Sequence, residues 1–282
     1  MSTSIILFIF GIAIGSFLNV VALRYDGERF LFSAKKLGGR SRCRKCRRNL
    51  RWFELIPIIS YAIQGGRCRR CHTVIGWQYP FVEFLSGLIF FIIPIHFAAS
   101  PQFLALSIIW VVVFEMLLLV AYIDILLGII PDELNIALAI VGVLATWFLG
   151  MTTIGGANQS FFGMFAAIFG LQANIWVNHI LAALFGAAFF GAIVAATRGK
   201  GMGLGDVKLA FPLGLLFGWP DILVIAMMAF VIGGAFGLAL ISSGKKTMKS
   251  AVPFGPFLVL ASTIAFFAGS ALFSWYFHAI GI

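Results

Sequence analysis

The sequence contains little charge. Only 11% of its 282 residues are Asp, Glu, Lys or Arg, whereas 61% are hydrophobic, and the mean hydropathy is +1.05. This excludes a soluble globular domain, because such a domain covers its surface with charge. Ten-residue segments of alternating hydrophobicity are also missing, which excludes an outer-membrane barrel. Long apolar runs recur instead and predict an all-α polytopic membrane protein.

The first residues lack the basic start of a cleavable signal peptide. Their apolar stretch, residues 5–23, is long enough to span a membrane and is followed by Arg24. We therefore expect residues 1–23 to form the first transmembrane helix. Gly11 and Gly15 lie four residues apart and predict a face of this helix that packs closely against another helix.

Lys and Arg are missing from most of the chain. All twenty lie in three segments, with fourteen in residues 24–70, three in 198–208 and three in 245–249. The positive-inside rule assigns these segments to the cytoplasm, which is a simpler explanation than nucleic-acid binding. About eight spans then alternate across the membrane and leave both termini outside: about 5–23, 80–98, 104–123, 133–150, 177–197, 206–218, 222–243 and 253–276.

The sixth predicted span is too short to cross the hydrocarbon core as a helix. From Asp206 to Trp219 the chain would form roughly 20 Å of helix, against a hydrocarbon core of about 30 Å. Asp206 is therefore expected below the inner membrane surface, at the mouth of a glycine-containing loop. Non-helical backbone at that depth is tolerated only where protein or a water-filled cavity surrounds it.

Acidic residues are rare, ten in all, and most have a structural explanation. We expect some to be solvated counter-charges in the basic loop and others to lie at the first turn of a helix. One, inside the third span, is expected to be a buried acid satisfied by nearby donors. The expected counter-charges are Asp26, Glu28 and Glu54. The acids expected at helix starts are Asp132, Glu133 and Asp221, and the buried acid of the third span is Glu115.

Asp124 and Asp206 have no such explanation. Asp124 ends the third span, where the helix dipole disfavours a negative charge, and Asp206 begins the sixth, where the dipole favours one. Both lie at the predicted cytoplasmic boundary. Two carboxyl groups held together share one proton and can activate water against an amide. We predict that they form a catalytic pair, with Asp206 as the base and Asp124 as the acid, although coupled groups titrate together.

Gly201, Gly203 and Gly205 precede Asp206. Without side chains, they let another backbone approach and accept unusual dihedral angles. An extended peptide substrate could bind along Gly203 and Gly205 and bring its scissile bond to Asp206. Close helix packing or a flexible turn explains the same glycines without a substrate.

The four cysteines form two C-x-x-C pairs, Cys43 with Cys46 and Cys68 with Cys71. This spacing is close to that of a zinc ribbon and predicts a structural zinc ion held by four thiolates. A cytoplasmic loop is reducing, which argues against disulfides. His72 could replace one ligand. A redox pair and a nucleic-acid-binding ribbon are the alternatives.

Several stretches together resemble the type IV prepilin peptidases, or prepilin leader peptidase/N-methyltransferases. They are "FGIAIGSFLNVVALR", the double C-x-x-C loop with "RWFELIPIISY" between its halves, "QYPFVEFLSG", "YIDILLGIIPDELN", "GMGLGDVKLAFPLGLLFGW" and "VPFGPFLVLAS". The similarity covers nearly the whole chain in the same order. The chain departs from the family at Arg44 and Lys45, after Arg24, and in a longer outer segment at about 151–175.

The resemblance implies a membrane aspartic endopeptidase with Asp124 and Asp206 as its catalytic residues. It implies cleavage after a glycine, at the cytoplasmic face of the inner membrane, in precursors of type IV pilins or type II secretion pseudopilins. Members commonly also methylate the new N-terminus with S-adenosylmethionine, in forms that carry the cysteine loop. Residues 24–79 would then be the zinc-ribbon-like, methyltransferase-associated loop and residues 80–282 the peptidase core.

Three other functions fit part of the sequence. A membrane methyltransferase without protease activity would use the loop but would not need two acids at one face. A proton- or cation-coupled transporter would use Asp124, Asp206 and Glu115, but transporters usually contain internal repeats and none is convincing here. A membrane-anchored zinc ribbon could contact anionic lipid or nucleic acid, yet the loop lacks the interleaved aromatics that stack on bases. We expect no nucleic-acid partner.

Overall fold

The computed structural model describes residues 2–27, 30–31, 38–152, 160–161, 174–244 and 252–279. In these ranges the regular structure is helical, apart from two isolated β-bridges. The predicted third basic segment, 245–249, and Glu28 lie outside the described residues. A 3-10 turn covers Trp52–Glu54. The α-helices are α1 (Ser2–Arg24), α2 (Ile59–Ile63), α3 (Gln78–His96), α4 (Phe103–Leu127), α5 (Asp132–Thr152), α6 (Ile175–Thr197), α7 (Leu204–Phe217), α8 (Asp221–Ser242) and α9 (Gly255–Ala279).

Seven of these helices are long and apolar enough to cross a membrane. The exceptions are α2, with 5 residues, and α7, with 14. This confirms the predicted all-α polytopic class. The short sixth segment expected from the sequence is α7, whose length corresponds to about 21 Å of helix.

The chain forms two compact units, Met1–Leu119 and Val120–Ile282, whose boundary falls within α4. In the first unit, α1 and α3 approach closely along glycines. A methyl group added at Gly11 would lie 2.7 Å from the carbonyl oxygen of Ser86, and one at Gly15 would lie 2.7 Å from Glu83 Cα. Neither glycine can therefore carry a side chain, which confirms the close-packing face predicted from their spacing.

A buried polar cluster links the helices of this first unit. The Ser86 hydroxyl oxygen on α3 lies 2.6 Å from the Gly11 carbonyl oxygen on α1 and 2.9 Å from Glu115 Oε1 on α4. Glu115 is 8% exposed, and its Oε2 has no hydrogen-bond partner among the described residues. Glu115 is thus a buried acid, as expected, but a hydrogen bond satisfies only one of its two carboxyl oxygens.

In the second unit, α7 is enclosed by protein. Leu209, Leu213 and Phe217 are at most 1% exposed. A methyl group added at Gly214 would lie 2.4 Å from Ala183 Cα on α6, so these two helices meet backbone to backbone. The enclosure explains how a helix shorter than the hydrocarbon core can lie at that depth.

Asp221 is the first residue of α8, which confirms its predicted position at a helix N-terminus. It is fully buried and accepts hydrogen bonds from the Ser160 hydroxyl and, at 2.8 Å, from the Phe161 backbone N–H. The side chain therefore also holds residues 160–161 against the start of α8. Residues 153–159 and 162–173 of the expected outer segment lie outside the described residues.

Candidate active site and metal centre

Asp124 and Asp206 come from separate helices of the second unit. Asp124 lies in the last turn of α4 and Asp206 in the first turn of α7. Their exposures are 4% and 7%, so both carboxyl groups are removed from bulk water. A buried carboxyl group needs hydrogen-bond donors or a shared proton, and each of these two has a donor.

The donor for Asp124 is the first residue of α9. The Gly255 backbone N–H donates to Asp124 Oδ2 at 2.9 Å. A methyl group at position 255 would lie 2.7 Å from the same oxygen, so only glycine allows this approach without a shift of the acid. Gly255 is the site residue that the sequence reasoning missed. The one available signal was the stretch "VPFGPFLVLAS", which carried the family resemblance without a role for its glycine.

The donor for Asp206 is the residue before its own helix. Gly203 is the N-cap of α7, with an extended backbone (φ −82°, ψ 154°), and its N–H donates to the Asp206 carboxyl group. An acid at the third helical position that binds the N-cap N–H is half of a capping box. This bond fixes Asp206 relative to the glycine loop.

Ile130 connects the two acids. A methyl group at Gly205, next to Asp206, would lie 3.2 Å from Ile130 Cβ, and one at Gly255 would lie 3.3 Å from Ile130 Cδ1. The same side chain therefore packs against the neighbour of Asp206 and the hydrogen-bond donor of Asp124. The two carboxyl groups are close enough to interact electrostatically.

The N-terminal ends of two helices favour negative charge at this pair. Asp206 lies at the start of α7, as expected, but Asp124 also binds a helix N-terminus, that of α9. The expectation that only Asp206 lies at a helix N-terminus was therefore wrong, because the start of α9 also contacts Asp124. Two adjacent carboxyl groups with such donors can share one proton and polarise a water molecule between them.

Asp132 serves the helices rather than this pair. Its two carboxylate oxygens accept hydrogen bonds from Lys208 Nζ at 2.7 and 2.8 Å, which joins the start of α5 to the first half of α7. Both side chains are more than half exposed. Asp132 and Glu133 are in the first turn of α5, as the helix-start interpretation predicted.

The glycines before Asp206 differ in their surroundings. A side chain at Gly203 would meet no atom closer than 3.7 Å, whereas Gly205 is crowded by Ile130 and Gly201 by Thr197 Cγ2 at 3.0 Å. Gly203 is exposed and extended, which leaves room for another backbone. Gly205 is needed for packing.

The four cysteine thiols of the first unit lie together. The sulfur atoms of Cys43, Cys46, Cys68 and Cys71 are all within 4.8 Å of one another, and those of Cys43 and Cys71 are 3.7 Å apart. Four sulfurs bound tetrahedrally to one zinc ion, at about 2.3 Å each, would be about 3.8 Å apart. The cluster therefore fits a four-thiolate metal site, and His72 is not part of it.

Both C-x-x-C pairs have the same backbone structure. The N–H of Cys43 donates to the carbonyl of Arg48, and the N–H of Cys68 donates to that of Thr73. In each pair the residue after the second cysteine, Arg47 or His72, has a left-handed backbone (φ 54° and 51°). This repeated turn brings both sulfurs of each pair to one side.

The Cys71 thiol is adapted to deprotonation. Hydrogen bonds with the side chain and backbone of Thr73 lower the pKa of Cys71 to about 6. Metal ligation requires the thiolate, so this lowered pKa favours the ligating form of Cys71.

Glu54 is buried, in contrast to the expectation from the sequence. We expected a solvated counter-charge, but Glu54 is 6% exposed, pairs with Arg48 and accepts the Arg51 backbone N–H at 2.8 Å. Burial acts to raise its pKa, yet the Arg51 N–H and the Arg48 charge lower the pKa overall. The expectation was wrong because the acid shapes the turn at Trp52–Glu54 instead of facing solvent.

The fold and the site define a class: a multi-pass helical membrane protein with a buried carboxyl pair and a separate four-thiol cluster. Comparison with known proteins narrows this class. Residues 9–97 match the bacterial peptidase A24 N-terminal domain, and residues 110–238 match the type IV leader peptidase family. No solved structure matches the chain.

Curated relatives named prepilin leader peptidase/N-methyltransferase cover nearly the whole chain. One from Bacillus subtilis (strain 168) is 30% identical over 96% of this chain and 96% of its own. One from Aeromonas salmonicida (strain A449) is 28% identical, over 98% and 94%, and one from Legionella pneumophila is 28% identical, over 95% and 92%. The chain belongs to the prepilin leader peptidase/N-methyltransferase family, which confirms the family and the enzyme class expected from the sequence.

Proposed function

We propose that this protein is an aspartic endopeptidase that removes the leader peptides of type IV prepilins, with Asp124 and Asp206 as its catalytic pair. The observation that carries the proposal is the arrangement of the two buried acids, supplied by separate helices, each bound to a backbone N–H and joined through Ile130. Cleavage would fall after a glycine, between a basic leader and a hydrophobic helix, as the family resemblance implies.

The two carboxyl groups can supply and accept the protons that move in the two steps of amide hydrolysis, attack by water and loss of the amine. One carboxylate, which we assign to Asp206, takes a proton from water as the water oxygen bonds to the substrate carbonyl carbon. The other carboxyl group, Asp124, gives its proton to the carbonyl oxygen. As the C–N bond of the tetrahedral intermediate breaks, Asp206 gives its proton to the leaving nitrogen, and Asp124 takes a proton from one hydroxyl group of the intermediate, which leaves a carboxylic acid and restores both side chains. The Gly255 N–H holds Asp124 in place during both steps.

Gly203 would receive the substrate backbone, and Gly205 would support this substrate-binding loop. The open, extended Gly203 supports this role, since a peptide in extended form can lie beside it. Gly205 would contribute through its lack of a side chain, which lets α7 begin close to Ile130.

The reaction would take place at the cytoplasmic face of the inner membrane. Asp124 ends α4 where Asp206 begins α7, and Arg198, Lys200 and Lys208 lie within eight residues of Asp206 in the sequence. A cluster of cations beside the acid pair supports a cytoplasmic location under the positive-inside rule. Type IV prepilins are the first substrates to test; pseudopilins of type II secretion, which have the same kind of leader, are the second.

We also propose a second activity, transfer of a methyl group from S-adenosylmethionine to the new N-terminal residue. The names of the relatives and the four-cysteine loop support it. Zinc is the metal that we assign to Cys43, Cys46, Cys68 and Cys71, as a structural ion, because four thiolates close the coordination shell. Residues 24–79 would serve methylation and residues 80–282 cleavage.

The experiment is co-expression with a prepilin, scored by the mobility shift that accompanies leader removal. Asp124→Asn and Asp206→Asn are each expected to abolish the shift. Glu115→Gln is the matched control, because it neutralises another buried acid of the same helix, α4, and should process as wild type does. Wild-type processing by either Asp variant would refute the catalytic pair. Loss of processing in Glu115→Gln would show that neutralising a buried acid of α4 is enough to stop cleavage, which would remove the support that the Asp variants give to the pair.

A further inference from the structure

A row of large apolar side chains lies exposed between the two C-x-x-C pairs. Trp52, Leu55, Ile59 and Ile63, which we call the apolar stripe, have exposures of 78, 42, 56 and 69%. They recur every three or four residues through the turn at Trp52–Glu54, the non-helical residues that follow it and α2. Exposed apolar rows of this kind mark a contact surface.

The segment that carries the stripe is held against a membrane helix. The Ile58 backbone N–H donates to Glu83 Oε2 at 2.7 Å, and Glu83 is a buried residue of α3. Ile58 adopts a φ of 57°, which is costly for a β-branched residue. The residue that makes the contact with α3 is therefore held in an unfavourable backbone conformation.

The contact also places the segment close to one end of α3 and one end of α1. Glu83 follows the first residue of α3, Gln78, by five positions, or about 8 Å along the helix. On α1, Gly15 packs against Glu83 and precedes the last residue, Arg24, by about 13 Å. The hydrogen bond to Glu83 therefore holds Ile58 near the N-terminal end of α3 and the C-terminal end of α1.

The exposed charges around the stripe are positive. Arg51 precedes it, and Arg67 and Arg69 follow it; all three are exposed. The acid within the segment, Glu54, is buried and paired with Arg48. Anionic phosphate groups complement such a surface, whereas the basic leader of a prepilin would be repelled by it.

We propose that residues 51–63 lie in the surface of an anionic phospholipid bilayer, with the apolar stripe against the acyl chains and the flanking arginines at the headgroup phosphates. Trp77, 68% exposed immediately before α3, marks the same interface, where tryptophan is enriched. Amphipathic segments of this composition bind membranes through buried apolar area and attraction to anionic lipid. The surface would hold the four-cysteine loop against the bilayer whether or not the peptidase assignment is correct.

The test places a photoreactive benzophenone amino acid at position 59 or 63 of the full chain, in nanodiscs of phosphatidylglycerol and phosphatidylethanolamine. Lys45, exposed in the first C-x-x-C pair, is the control position. We expect several-fold more lipid adduct at 59 and 63 than at 45, and less adduct when phosphatidylcholine replaces the anionic lipid. Cross-links to another part of this chain or to a copurified protein, or equal adduct at all three positions, would overturn the proposal.

A second measurement needs no labelled variant. Lipids brominated along the acyl chain quench nearby tryptophan, so they should remove more emission from the wild-type chain than from Trp52→Phe. The difference is the quenched part of the Trp52 emission. Retention of the bound metal verifies that the loop is folded in each sample. If Trp52 emission is unquenched while the metal is retained, the stripe does not contact acyl chains.

Discussion

The acid pair depends on a glycine 131 residues away in the sequence. The Gly255 N–H binds Asp124 Oδ2, and its missing side chain is what permits a 2.9 Å approach. Gly255→Ala should displace the acid or break this bond. A hydrogen bond to a charged group contributes roughly 1.5–3 kcal/mol, so we expect prepilin cleavage to slow by about ten- to a hundredfold.

Gly234→Ala is the control for this change, because a methyl group there would meet no atom within 4 Å. Both variants are compared in an initial-rate cleavage assay at equal membrane abundance. Equal rates for the two variants would mean that Asp124 does not need the Gly255 N–H.

Single residues also show what the sequence could reveal. Asp124 and Asp206 could be chosen as candidates because acids are few in an apolar chain and because these two lie at opposite kinds of helix end. Gly255 could not, since its role arises from contact with a distant helix. Glu54 was misassigned because basic neighbours suggested a solvent-exposed acid, while the turn that buries it depends on the Arg48 pair and the Arg51 N–H.

Among the helices, α7 is positioned by close backbone packing more than by its ion pair. Gly214 meets Ala183 on α6 backbone to backbone, while the Lys208–Asp132 pair is exposed. Gly214→Ala should therefore lower the free energy of unfolding by about 1–3 kcal/mol, as overpacking does. Lys208→Ala should leave it almost unchanged, because exposed ion pairs add little.

Thermal unfolding of the purified chain measures both effects. Gly237→Ala, on α8 with open space around it, controls for the helix propensity that alanine adds. If Gly214→Ala is as stable as Gly237→Ala, α6 and α7 are not packed as tightly at Gly214 as the 2.4 Å approach to Ala183 indicates.

The elements differed in how well the sequence predicted them. The long spans and the short α7 follow from apolar length alone, which is why their number and order could be anticipated. The turn at Trp52–Glu54 and the five-residue α2 could not, because so short a helix is not stable by itself. They are held by tertiary contacts, such as the Tyr61 hydroxyl on the Ile75 carbonyl (3.4 Å) and Ile58 on Glu83.

At the scale of the whole molecule, the four-cysteine loop and the acid pair belong to different compact units, Met1–Leu119 and Val120–Ile282. The two family matches, 9–97 and 110–238, divide the chain in a similar way. The functional division into residues 1–23, 24–79 and 80–282 stays a prediction. It can be tested by damaging one unit and measuring the activity assigned to the other.

We would damage the unit that contains the four-cysteine loop and measure both activities. Replacing Cys43 and Cys68 by Ser removes one thiolate from each C-x-x-C pair, so bound metal should be lost and the loop destabilised. Methylation of the mature pilin, read by mass spectrometry of its N-terminus, should fall much further than leader cleavage, because the buried acids of the other unit keep their donors. His72→Asn, beside a ligand but outside the cluster, keeps a residue that tolerates the left-handed backbone there and should retain both metal and methylation. Equal loss of cleavage and methylation in the cysteine variant would show that the acid pair needs the loop and would refute the assignment of one activity to each unit.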